Sequence, residues 1–156
     1  MKADLLRIRS IADYQFGKGV GIKLFPENVE ILHSRATGRI RYINLNGRRL
    51  ATLRPTDGLL SISIDAAIDL AKTANSSRFT IRVRNDVAQF IAEGGDVFAT
   101  HVVEADSSIH ARQEVIVTDE NGKVLAVGRT LLSGEEMKSF NTGVAVKVRH
   151  GRIKKS

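Results

Sequence analysis

Six arginines, Arg35, Arg39, Arg41, Arg48, Arg49 and Arg54, fall in one short stretch, and no acidic residue occurs between Ile31 and Thr56. A guanidinium stays charged at physiological pH and presents a planar fork of donors that matches phosphate or carboxylate. Cations crowded together without acids repel one another unless an anion neutralises them. The chemistry within reach of this stretch is therefore anion binding. Asn46-Gly47 lies in its middle and marks a hairpin, because a type I′ turn needs φ > 0 at both central positions. A two-residue turn pairs position 45 with 48, 43 with 50, 41 with 52 and 39 with 54. One face then gathers Ile40, Tyr42, Ala51 and Leu53 as core, and the other gathers Arg39, Arg41, Thr52 and Arg54. Two uses of that second face stay open. It contacts phosphate, or it is a solvated face whose arginines pair with acids such as Asp57 or Asp65.

A second set of basic residues sits later in the chain. Residues 78–84 alternate, with Phe79, Ile81 and Val83 inward and Arg78, Thr80, Arg82 and Arg84 outward. A later strand places Val144, Val146 and Val148 on one face and Ala145, Lys147 and Arg149 on the other. Lys147, Arg149 and His150 lie at its end. Acids are denser here, so solvation competes more strongly with anion binding. Other chemistry is poorly served. The histidines His33, His101, His110 and His150 lack metal-ligand spacing. No serine sits in a glycine-flanked nucleophile elbow. Glu135 and Glu136 are adjacent, so on a helix they point in different directions and make a poor acid–base couple. The reading is a binding module rather than an enzyme, with no cofactor and no metal. Six Phe and two Tyr, several on core faces, leave little for base stacking. Recognition of a partner RNA by shape and backbone is the expectation.

Composition sets the frame for these residues. The 156 residues suffice for one large domain or two small ones, and a 42% apolar content suffices for a core. Trp is absent and aromatics make up 5%, so that core should be aliphatic. Cys is absent, which excludes disulfides and thiolate zinc sites and fits a reducing, cytoplasmic setting. No apolar run approaches the ~20 residues of a membrane helix, and the N-terminus lacks the apolar stretch of a signal peptide. The net charge of +7 favours a phosphate-rich partner. Residues 1–77 hold 12 basic against 7 acidic residues and residues 78–156 hold 12 against 10, so the first part carries most of the excess.

The elements that must position these residues follow from periodicity. Asp4 is placed to cap a helix to about Tyr14, with Leu5, Ile8, Ile11 and Ala12 on one stripe. Gly17, Gly19 and Gly21 break it and read as a mobile loop rather than a phosphate cradle, since no strand precedes them. A first strand begins at Val29 to Leu32. Ser63 and Asp65 open a helix through Ala66, Ala67, Leu70 and Ala71. One helix on a curled antiparallel sheet is the economical fold for this part. Past a polar link at Asn75-Ser76-Ser77, Asn85 or Asp86 caps a helix from Val87 to Glu93 that Gly94 ends. Asn121-Gly122 joins two apolar runs as a second type I′ hairpin, and Ser133 opens a short helix. Several short strands with helical links suggest a small β-barrel, which removes exposed sheet edges. The domains read as 1–76 and 77–152, followed by a basic tail at 153–156 that frays from Arg152 onward. The fold class is α+β.

The segment from Arg78 to Gly151 resembles a PUA domain, the RNA-binding module of tRNA- and rRNA-modifying proteins. The matching words are Gly95-Asp-Val-Phe-Ala99, Val102-Val-Glu-Ala-Asp106, Leu125-Ala-Val-Gly128, Leu132-Ser-Gly-Glu-Glu-Met137 and Gly143-Val-Ala-Val-Lys-Val148. Upstream, Ile11-Ala-Asp-Tyr-Gln-Phe-Gly17, Leu24-Phe-Pro26, Ser34-Arg35, Thr37-Gly-Arg-Ile-Arg41 and Leu50-Ala-Thr-Leu-Arg-Pro-Thr-Asp-Gly58 resemble the domain that precedes PUA in archaeosine tRNA-guanine transglycosylases. The resemblance implies a cystatin-like first domain and a PUA barrel. It implies that the loop from Gly94 and Gly95 through Phe98, Ala99 and Thr100 lies against an RNA backbone, with free N–H groups of the glycines available to phosphate. Many relatives carry Lys where this chain has Thr100, which removes one phosphate contact. They also carry a Pro-Gly-Asp turn where this chain has Ala111-Arg-Gln113. The implied partner is tRNA, through its acceptor arm, or another structured RNA, together with a catalytic transglycosylase chain. The alternative is a ribosome-assembly or translation factor that binds rRNA or initiator tRNA.

Overall fold

The computed structural model describes residues 2–153. The chain divides into two units, Met1–Thr73 and Ala74–Ser156.

The first unit is an antiparallel meander with helices on one face. Helix α1 (Lys2–Phe16) buries Ile8, Ala12 and Phe16, one stripe at helical spacing. It starts before Asp4, whose carboxylate does not cap it but meets His33 Nε2 at 3.0 Å. The three glycines do not form a loose loop. Gly17 and Gly19 turn the chain with φ of 118° and 89°, and Gly21 lies inside a second helix, α2 (Val20–Leu24). A Cβ on Gly21 would strike the Arg9 carbonyl. The glycine is thus what lets two helix backbones touch. The Asp13 carboxylate accepts from the Gly21 N–H at 2.7 Å and fixes the contact.

Strands β1 (Glu30–His33), β2 (Ile40–Leu45), β3 (Arg48–Leu53) and β4 (Leu60–Ile62) follow in sheet order β1-β2-β3-β4. Ile40, Ile43, Leu50, Ala51, Leu53, Leu60 and Ile62 are buried with the helices. Helix α3 (Ile64–Ala71) opens at Ser63, whose Oγ accepts from Ala66 N–H. It packs on β3, while α1 packs on β4.

The Asn46-Gly47 turn is as expected, with φ of 51° and 78°. The register beyond it is not. Leu45 pairs with Arg48 and Asn44 with Arg49, but the ladder then slips, so that Ile43 faces Ala51 and Tyr42 faces Thr52. A second irregularity against β1 leaves Leu32 opposite Tyr42 and His33 opposite Ile40, with Arg41 as the extra residue. A bulge moves every side chain beyond it to the other face. Ile43 takes the core position, fully buried, and Tyr42 moves to the outer face.

The second unit holds β5 (Thr80–Val83), α4 (Ala88–Ala92), β6 (Val97–Phe98), β7 (Val102–Ala105), β8 (Glu114–Thr118), β9 (Val124–Thr130), α5 (Gly134–Ser139) and β10 (Val144–Gly151). The six strands run in the order β6-β10-β9-β8-β5-β7 and curl into a nearly closed barrel. β5 and β8 are parallel and the other pairs antiparallel. Ile81, Val83, Ile91, Val97, Val115, Val117, Leu125, Met137 and Val146 meet in the core. Ala145, expected outward, is fully buried among them.

Several local details differ from the sequence reading. Neither Asn85 nor Asp86 caps α4 with its side chain. Asn85 instead clamps the β8–β9 loop. Its N–H donates to Glu120 Oε2 at 3.0 Å and its Oδ1 accepts from Glu120 N–H at 2.9 Å. That loop is not a type I′ turn, because only Gly122 has positive φ. The Asp119 carboxylate captures the N–H groups of Asn121 and Lys123, both at 2.9 Å, and widens the turn. Ser133 caps α5 as expected, in a reciprocal capping box with Glu136. The start of the basic tail is held rather than frayed. Arg152 N–H donates to Leu125 O at 2.7 Å and Ile153 N–H to Ala92 O at 2.8 Å. The rest of that tail, 154–156, lies outside the described residues.

Candidate nucleic-acid interface

Helix α4 ends in a Schellman motif, and this decides what the two glycines do. Gly95 N–H donates to Phe90 O at 3.0 Å and Gly94 N–H to Ile91 O at 2.9 Å. Neither N–H is free for phosphate, which corrects the expectation. Each glycine is needed for its own reason. Gly94 adopts φ 106°, and a Cβ on Gly95 would run into the Phe90 ring. Asp96 then locks the loop to β10. Its carboxylate accepts from Val148 N–H at 2.9 Å and sits 3.3 Å from Lys147 Nζ. Ala99, buried, donates its N–H to Gly143 O at 2.9 Å.

The loop carries an aromatic corner that the sequence did not reveal. Phe90 is 50% exposed and Phe98 is 40% exposed. His101 stands edge-on to both, with ring centroids 6.3 Å from Phe90 and 5.2 Å from Phe98. No periodicity signal marked the corner, because Phe90 stands three residues after Val87 and beside Ile91, the spacing of a buried helical stripe. His101 Nδ1 accepts the Phe98 N–H at 3.1 Å, so the ring must be neutral at that atom. Thr100 is exposed beside it. Arg84 closes the corner, donating Nη1 to Thr100 O and Nε to Asp86, both at 3.0 Å.

Burial of His101, followed by the nearby Arg84 charge, pulls its pKa below 6.5, against a smaller opposing pull from Asp86. A depressed histidine pKa adds stability above the unfolded value, and that stability is lost as pH falls through the folded value. Lowering the pH below 6.5 should therefore loosen the 98–101 turn. We expect faster hydrogen exchange at the Phe98 amide from that point downward, with the β8 and β9 amides unaffected. A pH-independent Phe98 rate, once intrinsic exchange is corrected, would remove His101 from this role.

The basic residues named from sequence separate into three groups. Arg54 and Arg149 are committed to the fold. Arg54 grips Asp57 with two nitrogens, at 3.1 and 2.9 Å, and donates to Ser61 Oγ at 3.0 Å, with only 12% of its side chain exposed. That is the pairing left open as the alternative. Arg149 is held on the barrel wall and is not available as a loose cation. It forms a two-pronged pair with Glu114, including Nη1 to Oε1 at 2.9 Å, and the Glu114 side chain is 1% exposed. Arg82, Arg84 and Lys147 make exposed pairs with Glu104, Asp86 and Asp96. Such pairs are worth under about 1 kcal/mol and yield readily to a phosphate. Arg39 and Arg41 make no ion pair among the described residues, and His150 is exposed on β10.

Comparison with known proteins fits this arrangement. Residues 6–77 match the patch-forming domain C2 of tRNA-guanine transglycosylase and residues 79–152 match the PUA domain. The chain is a C2–PUA protein. A tRNA-guanine(15) transglycosylase of Methanothermobacter thermautotrophicus is 39% identical over 148 residues, covering 95% of this chain but 23% of that enzyme. This chain corresponds to the C-terminal part of such enzymes and spans about a quarter of their length. Among solved structures, a hypothetical protein of Pyrococcus horikoshii is 27% identical with TM-score 0.78, covering 99% of this chain and 93% of that one. A conserved PUA domain protein of Thermoplasma acidophilum, 21% identical with TM-score 0.67, covers 96% of this chain and 89% of its own and supports the fold. The C2 unit is thus the meander with its helices, and the PUA unit is the nearly closed barrel.

Proposed function

We propose that this protein binds structured RNA, namely tRNA at its acceptor arm, and serves as the RNA-binding half of a tRNA-guanine transglycosylase whose chemistry belongs to a separate catalytic chain. One observation carries the reading. The C2–PUA pair is matched along nearly its whole length by the C-terminal part of the transglycosylases. Within the PUA unit, the loop from Gly94 and Gly95 through Phe98, Ala99 and Thr100 presents a rigid edge to RNA. Arg82, Arg84, Lys147 and His150 supply charge beside it. The glycines act by shaping the loop, and Phe98 and Phe90 offer apolar surface on which an unpaired base can stack. The protein would act in the cytoplasm, where tRNA is modified.

Each phosphate that a cation neutralises releases condensed counter-ions. Binding of a tRNA transcript should therefore weaken linearly in a plot of log affinity against log salt. With four to six contacts the slope should lie at about −3 to −5. A flat salt response, or no binding in 50 mM salt (~30% of physiological ionic strength), would defeat the reading. Restoration of guanine exchange when this chain is added to a catalytic transglycosylase chain tests the partnership separately.

A further inference from the structure

The outer face of the C2 hairpin holds a preassembled cation stack that the slipped register creates. Tyr42 and Asn44 alternate with buried Ile43 on β2, and Thr52 and Arg49 stand opposite them on β3. The Arg49 guanidinium lies over the Tyr42 ring with its central carbon 3.8 Å from the ring centroid, and that of Arg41 lies 5.6 Å from the same centroid. Arg49 Nε donates to Asn44 Oδ1 at 2.8 Å. Two side chains thus fix one exposed guanidinium, by its face and by its Nε edge. Its two terminal nitrogens remain as a forked pair of donors.

Nothing of opposite charge neutralises the stack. Arg39, Arg41 and Arg49 make no ion pair among the described residues, whereas neighbouring Arg48 pairs with Asp65 at 2.7 Å. The acid nearest in register is Glu30, opposite Asn44 on β1, and it too makes no ion pair among the described residues. Loose exposed arginines usually retain their rotamer freedom. Here part of that entropy has already been lost, which lowers the further loss on binding an anion. The Arg41 and Arg49 central carbons lie 5.6 and 3.8 Å from the centroid of the same Tyr42 ring, so one ring sets the separation of the two cations. Two cations held at one ring suit successive anions on one chain better than a single carboxylate.

We propose that this face is a second RNA contact, separate from the PUA loop, at which Arg49 and Arg41 hold consecutive phosphodiesters. Arg49 touches the phosphate. Tyr42 and Asn44 are positioning residues that act through it. The proposal rests on the RNA-binding function proposed for the chain and adds to it the place and the residues.

The test uses the full chain and a tRNA transcript, with affinity measured across salt concentrations. Arg49→Ala should weaken binding about tenfold and reduce the salt slope by about one, with the thermal midpoint unchanged. Tyr42→Leu should weaken binding several-fold, and Tyr42→Phe should retain wild-type affinity, because the ring face rather than the hydroxyl holds the guanidinium. If Tyr42→Leu fails to fold, Asn44→Ala tests the same positioning at an exposed site. Wild-type affinity and slope in Arg49→Ala would overturn the proposal while the PUA reading stands. The proposal falls equally if Arg49→Ala loses affinity only for a poly-glutamate competitor, because the face would then serve an acidic protein. Absence of tRNA binding by the wild-type chain would overturn both.

Discussion

Replacing Arg149 with alanine should lower the unfolding free energy by about 3–4 kcal/mol, near the low end of the range for breaking a buried ion pair. Its partner Glu114 lies on β8 with 1% of its side chain exposed, and Arg149 reaches it from β10 with both terminal nitrogens. Without the guanidinium, a buried carboxylate loses a two-pronged, charge-assisted pair. The low end applies because Arg149 itself is 29% exposed, so water can enter the space it vacates. The double variant Glu114→Leu with Arg149→Met should recover part of the loss, since it removes the buried carboxylate together with its guanidinium and fills the space with apolar side chains. Equilibrium urea unfolding of the three proteins checks this. An Arg149→Ala protein that unfolds at the wild-type midpoint but binds tRNA poorly would return Arg149 to the RNA interface.

The same residue shows where sequence reading succeeds and where it stops. Alternation identified the strands from Phe79 to Val83 and from Val144 to Val148, because a half-buried strand must show period two. It could not identify which outward position meets a buried acid, since Glu114 and Arg149 are separated by 35 residues. The C2 hairpin behaves in a related way. Its turn was legible in Asn46-Gly47, but the slip beside Leu50 was not, because bulges depend on packing from both sides of the sheet. That slip exchanged Tyr42 for Ile43 in the core and set Arg49 in the role expected of Arg54. Asn121-Gly122 misled for a different reason. Asp119 offers its carboxylate to the turn amides, a local contact that outcompetes the turn type the dipeptide favours. Gly94 was legible as the residue that ends the helix before it, whereas only geometry shows that Gly95 makes room for Phe90.

Gly128 gives the sharpest contrast between glycine as a hinge and glycine as a space. Its backbone is ordinary strand, so conformation is not what excludes a side chain. It sits on β9 between Val115 of β8 and Val148 of β10. A Cβ there would collide with the Lys147 carbonyl oxygen and approach Val148 Cα at 3.0 Å. These are backbone atoms of the adjoining strand, which cannot rotate aside as a side-chain tip would. Gly128→Ala should therefore cost about 3 kcal/mol or more, and Gly128→Val more than about 4 kcal/mol, by prising β10 from β9. Gly122→Ala is the matched control. Nothing lies within 4 Å of a Cβ at Gly122, and only its φ of 84° opposes the change. The left-handed strain there costs about 1–2 kcal/mol. Because β10 also anchors the 94–100 loop through Asp96, the Gly128 variants should lose tRNA affinity in proportion to the unfolded fraction. A Gly128→Ala protein as stable as wild type would mean that β10 can shift along β9 without penalty. In that case the loop could not be rigidly seated.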